Sequence, residues 1–108
     1  MTDLEYQIAL KIKERVSEIV TVLDIKIFGS RARGTSDKYS DMDVFIEVEK
    51  IDNIVKDRIR EIIWEISIEY SIYISPLVLT KYEVENSPLK VSPILKNIEK
   101  EGIKIWMI

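Results

Sequence analysis

Two carboxylates, Asp41 and Asp43, stand one residue apart at the head of the apolar run Val44-Phe45-Ile46-Glu47-Val48. On an extended strand successive side chains alternate between faces, so residues i and i+2 share one. The spacing therefore predicts two like charges side by side, an arrangement that is costly unless a cation lies between them. Mg²⁺ suits the position, because it accepts carboxylate oxygens and commonly completes its shell with nucleotide phosphates. Ten residues separate Asp41 from Ser30, which with Gly29 closes an earlier apolar run and opens a turn or helix. There, backbone N–H groups can point at a phosphate, and the Ser30 hydroxyl can add a donor. Arg31 and Arg33 bring positive charge to the same stretch, as phosphate recognition requires. Taken singly these residues have plainer uses: Asp41 suits a turn, Asp43 a solvated strand position, the arginines surface ion pairs, Ser40 a loop cap and Asp37 a solvated loop.

Composition narrows the chemistry. The chain has no cysteine and no histidine. That excludes disulfides, thiolate metal sites and cysteine nucleophiles, and removes the commonest general base. Any reaction has to run on carboxylates, hydroxyls, Lys and Arg. A length of 108 residues fits one domain, expected over 1–108, with 46% hydrophobic and 32% charged residues supporting a single core. The formal charge of −3 argues against general affinity for nucleic acid, so no direct nucleic-acid partner is expected. Neither a basic leader followed by an apolar stretch nor an apolar run near the ~20 residues of a membrane span is visible, and the expectation is a cytoplasmic protein without membrane contact.

The elements that must position the carboxylates follow from periodicity. Leu4, Ile8, Ile12, Val16, Ile19, Val20 and Leu23 form a helical stripe. Ile25 to Phe28 reads as a short strand leading into Gly29, and Val44 to Val48 as a second strand. Asp52 or Asn53 can cap a further helix carrying Ile54, Val55, Ile59, Ile62, Ile63 and Ile66. Ile72 to Leu79 is a third strand, with Pro76 favouring an edge or a bulge. A last helix spans Val91 to Glu101, capped by Gly102, and Ile103 to Met107 can add a strand. The order predicts an α/β (α+β) domain, a small mixed sheet with helices mainly on one face. Trp64 and Trp106 read as packing or partner-contact residues, both distant in sequence from the motif.

The combination of Gly29-Ser30, ten residues, then Asp41-x-Asp43, in the fuller form GSRARG followed by SDMDV, resembles the minimal nucleotidyltransferase family of the DNA polymerase β superfamily. The joint spacing between two strands is specific where either half alone is weak, and the likeness spans nearly the whole chain. It implies the nucleotidyltransferase fold, ATP as substrate and Mg²⁺ as cofactor. Asp41 and Asp43 would be the catalytic and metal-binding residues, and Gly29, Ser30, Arg31, Arg33 and Ser40 the nucleotide-binding residues. Small stand-alone proteins of this type are typically antitoxins that add AMP to a tyrosine of a HEPN-domain toxin, so the implied partner is a HEPN-type toxin.

Catalytic members of the superfamily usually carry a third carboxylate on a later strand. The corresponding stretch here, Ile72 to Leu79, has no Asp or Glu, and Ser75 stands at the matching position. A hydroxyl can neither replace that charge at a second metal nor act as a good base. Glu69, just before the strand, is a possible substitute or a solvated helix-end residue. Two functions therefore stay open: a slow or partner-assisted transferase, and a non-catalytic nucleotide-binding antitoxin or subunit that works by binding alone.

Overall fold

The computed structural model describes residues 1–37 and 39–105. Helix α1, Asp3–Ser17, opens on a capping box: the Thr2 hydroxyl accepts from the Glu5 amide while the Glu5 carboxylate accepts from the Thr2 amide. It ends at Ser17, earlier than the apolar stripe implies. Val22 and Leu23 belong to strand β1, Val22–Phe28, where alternation with period two replaces the helical period. A single turn of helix, α2, Ser30–Arg33, follows Gly29. Strand β2, Met42–Val48, leads to α3, Asn53–Tyr70, whose N-cap is Asp52, its side chain accepting from the Val55 amide.

Strand β3, Ile74–Thr80, runs directly into a short helix α4, Lys81–Asn86, started by a second capping box between Thr80 and Glu83. That helix was not expected from the sequence. A 3₁₀ turn, Pro88–Val91, precedes α5, Pro93–Glu101, so the last helix starts two residues later than its periodicity indicated. Strand β4 is Ile103–Lys104. Ile105 lies beyond the strand's end, buried, its amide donating to the Ile25 carbonyl at 3.0 Å, while Trp106 and Met107 of the expected final strand lie outside the described residues.

The sheet order is β3-β2-β1-β4, with β1 antiparallel to β2 and β4, and β3 parallel to β2. Pro76 accordingly sits on an edge strand, where its missing N–H costs no ladder bond. Alternation along β2 sends Met42, Val44, Ile46 and Val48 to one face, into a core with Ile8, Ile12 and Val16 of α1 and Ile59, Ile62, Ile63 and Ile66 of α3. The other face carries Asp43, Phe45 and Glu47. There Phe45 packs with Leu79, Leu95 and Ile98 beneath α5, a second and smaller core. Helices thus cover one face fully and the other in part, and Asp43 stands on the partly open face. No helix among the described residues is long and apolar enough to cross a membrane.

Candidate active site

The core fixes the two carboxylates by fixing the residue between them. Met42 is fully buried in the α1/α3 core and its amide donates to the Tyr73 carbonyl at 2.8 Å. With Met42 pointing inward, its neighbours Asp41 and Asp43 emerge on the opposite side. Asp43 is opposite Phe28 in the β1–β2 ladder, and therefore lies against the next residue, Gly29. A Cβ on Gly29 would collide with Asp43 Oδ2 and lie 3.2 Å from its Cγ. Gly29 also has φ 74° and ψ −155°, a conformation that only glycine adopts without strain. The glycine of the motif is thus demanded twice, by the turn into α2 and by the carboxylate resting on it. Gly29 provides no capping side chain, so the first amides of α2, beginning at Ser30, lack a side-chain cap.

Burial raises the pKa of Asp43 above the ordinary aspartate value, the Asp41 charge raises it further, and Arg33 opposes both. The charges of Asp41 and Arg33 thus both act on the Asp43 carboxyl, in opposite directions. Arg33 is half exposed and makes a long, solvent-screened ion pair with Glu101 at 3.3 Å. Two adjacent carboxylates, one partly desolvated, are the donor set a hard divalent cation takes. Among the described residues no group of three or more acidic ligands assembles. Phosphate and water oxygens would therefore complete the shell of a bound Mg²⁺.

Arg31, expected among the nucleotide-binding residues, is turned inward. Its Nη1 donates to Glu5 Oε2 at 2.8 Å, and its Nε and Nη2 both donate to the Ser40 carbonyl at 3.1 and 2.7 Å. In this arrangement the guanidinium serves the turn itself, because burial leaves it satisfied only by protein acceptors. Ser40 is likewise engaged: its hydroxyl accepts from the Asp37 amide at 3.1 Å, and Asp37 Oδ1 accepts from the Tyr39 amide at 2.8 Å. Asp37 is exposed, as expected, but closes the loop. The participation of Glu5 was missed. Its local signal, Thr2-x-x-Glu5, announced a helix cap and said nothing of an arginine 26 residues away.

The parallel β2–β3 register sets Ser75 beside Asp43. Glu69 does not stand in for the missing carboxylate: it accepts two bonds from Lys11 Nζ at 2.6 and 2.8 Å across α1 and α3, on the far side of the sheet. Trp64 is 61% exposed on α3, consistent with neither core packing nor contact with the motif. A cleft of about 410 Å³ opens elsewhere on the sheet, lined by Asp24, Lys26, Phe45, Glu47, Lys90 and Glu99 among others; neither Asp41 nor Asp43 borders it.

Residues 10–105 match the nucleotidyltransferase domain family. The chain belongs to that family. A Methanocaldococcus jannaschii protein named "putative protein adenylyltransferase" is 38% identical over 100 residues, covering 87% of this chain and 94% of the relative. Among solved structures, a toxin–antitoxin complex with AMP-PNP aligns with a TM-score of 0.64 at 17% identity, over 95% of this chain and 73% of that one. The antitoxin complex of a tri-AMPylated Shewanella oneidensis HEPN toxin aligns with a TM-score of 0.61 at 16% identity, over 100% of this chain and 74% of that one. A nucleotidyltransferase-like protein from Sulfolobus solfataricus aligns at 0.57 with 24% identity, over 95% and 80%. At these identities the structures establish the shared nucleotidyltransferase fold.

Proposed function

We propose that this nucleotidyltransferase moves AMP from ATP to a protein hydroxyl, the tyrosine of a HEPN-type toxin, and so acts as that toxin's antitoxin. The observation that carries the proposal is the packing of the Asp43 carboxylate against the Gly29 turn that opens α2, with Asp41 two residues before it and the charges of Asp41 and Arg33 both acting on it. The relative named as a protein adenylyltransferase and the likeness to toxin–antitoxin complexes support this choice of donor and acceptor. Asp41 and Asp43 would hold Mg²⁺, which when bound neutralises triphosphate charge. The Gly29 and Ser30 amides and the Ser30 hydroxyl would receive phosphate oxygens, Arg33 would add positive charge, and Ser40 would shape the loop beside them. The acceptor oxygen attacks the α-phosphorus, the bond to pyrophosphate breaks, and the hydroxyl proton is lost to a nearby base or water. Orientation of that hydroxyl supplies much of the rate where the base is weak.

One observation favours a second reading. Ser75, not a carboxylate, neighbours Asp43 on β3, which suits a nucleotide-binding antitoxin that neutralises its partner by contact alone. The mass of a co-purified HEPN-type partner before and after ATP and Mg²⁺ decides between them. An AMP adduct that forms with the wild-type protein and not with Asp43→Asn supports transfer. Neutralisation without an adduct, equally effective with Asp43→Asn, establishes the binding-only antitoxin.

A further inference from the structure

We propose that Arg31 and Glu5 are positioning residues that hold Asp41 in its metal-binding place by gripping the peptide group on which it hangs; this rests on the reading of Asp41 and Asp43 as the Mg²⁺-nucleotide site. Asp41 is exposed and precedes the first ladder residue of β2, so the sheet does not hold it directly. On its C-terminal side Met42 is anchored by the core and by the Tyr73 carbonyl. On its N-terminal side Asp37 and Ser40 are bonded to each other, the Asp37 amide donating to the Ser40 hydroxyl and the Ser40 amide to the Asp37 carbonyl. From that side the Arg31 fork on the Ser40 carbonyl ties the chain next to Asp41 to the body of the domain. That carbonyl belongs to the same planar peptide unit as the Asp41 amide. Two donors converging on one oxygen fix the plane's position and tilt, and with it the Asp41 Cα.

Glu5 makes this possible. Its side chain is 4% exposed and that of Arg31 10%. Burial raises the Glu5 pKa, but the Arg31 hydrogen bond and those from Thr2 outweigh it, and the net shift is downward. The pair is thus ionised. A guanidinium one peptide away from Asp41 without a carboxylate of its own would compete with a metal for Asp41. Paired with Glu5 it keeps its geometry and loses its net charge. Glu5 is itself immobilised, one oxygen on the Thr2 amide and the other on Arg31, so the chain of contacts runs from the start of α1 to the metal-binding loop. Lysine lacks the planar fork that reaches both Glu5 and Ser40.

Calorimetric titration of ATP with and without Mg²⁺ tests this on three proteins: wild type, Arg31→Lys and the double variant Glu5→Gln/Arg31→Met. The double variant keeps the Thr2 cap through the glutamine oxygen and removes both buried charges together, so that neither is left unpaired, and its melting curve shows whether it is folded. Amide exchange at Asp41 and Met42, read by NMR in the same samples, reports loop order without any ligand. The expected result is about a tenfold loss of the Mg²⁺-dependent gain in ATP affinity in both variants, unchanged Mg²⁺-free binding, and faster exchange at the Asp41 amide. A merely structural role predicts a lower melting temperature with the affinity of the folded fraction and its Mg²⁺ gain intact, and that outcome overturns the proposal. Absence of any Mg²⁺ gain in the wild-type protein overturns the underlying site reading, and is thereby told apart from failure of the clamp alone.

Discussion

Replacing Gly29 with alanine joins two costs that the structure allows to be separated. The backbone cost arises from φ 74° and ψ −155°, a region essentially reserved for glycine and worth roughly 1–3 kcal/mol for another residue. For a domain near this size each kcal/mol lowers the melting temperature by about 4–8 °C. The steric cost falls on Asp43. The added methyl collides with Oδ2 and stands 3.2 Å from Cγ and 3.4 Å from Cβ. Restoring ordinary contacts of about 3.5–4.0 Å moves the carboxylate by on the order of 1 Å. A misplacement of that size can reduce a transfer rate by about 10²-fold. Gly34→Ala is the control: φ is 76° with ψ 16°, and nothing lies within 4 Å of the new methyl, so only a left-handed backbone cost of about 1–2 kcal/mol applies. Thermal melts of both variants should show losses, larger for Gly29→Ala. Titration with ATP and Mg²⁺ should show a severe loss for Gly29→Ala alone. Equal Mg²⁺-dependent binding by the two variants would refute the argument that Gly29 is small because Asp43 rests on it.

Asp43 holds its proton to higher pH in the fold than in the unfolded chain, so its ionised form costs stability above the raised pKa and costs nothing below the ordinary one. Asp43→Asn should therefore melt higher than wild type at neutral pH. The difference should shrink as pH falls between those two values; a pH-independent difference in melting temperature contradicts the burial and Asp41 repulsion assigned here. Ser75→Asp places a carboxylate beside Asp43. Without metal it should destabilise by about 0.2–1 kcal/mol, as like charges on adjacent strands do. With Mg²⁺ and partner it should raise the transfer rate by about 10²-fold, the lower range for a positioned base; no gain in rate would mean that Ser75 does not occupy the third-carboxylate position. Glu69→Gln should leave Mg²⁺-dependent ATP binding unchanged, because Glu69 is engaged with Lys11 on the far side of the sheet. A measured loss would place that residue in the site after all.

What the sequence determined by itself was local. Alternation placed Asp41 and Asp43 on one face of a strand and Asp52 or Asn53 announced the start of α3, since each depends on neighbours two to four residues away, and the Gly29-Ser30 and Asp41-x-Asp43 spacing, ten residues across, marked the candidate site. Capping boxes at Thr2 and Thr80 are of the same kind, each legible in a Thr-x-x-Glu spacing, but neither was among the sequence expectations, and α4 is too short to show a period of its own. Tertiary structure decided the rest. The apolar positions Ile19, Val20 and Leu23 continue the helical stripe of α1, but pairing of Val22 with Val48 draws that stretch into the turn and strand β1. GSRARG presents two arginines that local chemistry cannot rank. Arg31 turns inward because α1 brings Glu5 within 2.8 Å of it, whereas Arg33 stays half exposed, paired with Glu101 and its charge acting on Asp43. Glu69 was a candidate only until α3 carried it to Lys11. Backbone preferences act over a turn and are written in neighbouring residues, while the partner of a long charged side chain is chosen by whichever element packing brings within reach, so its identity exists only in the assembled fold.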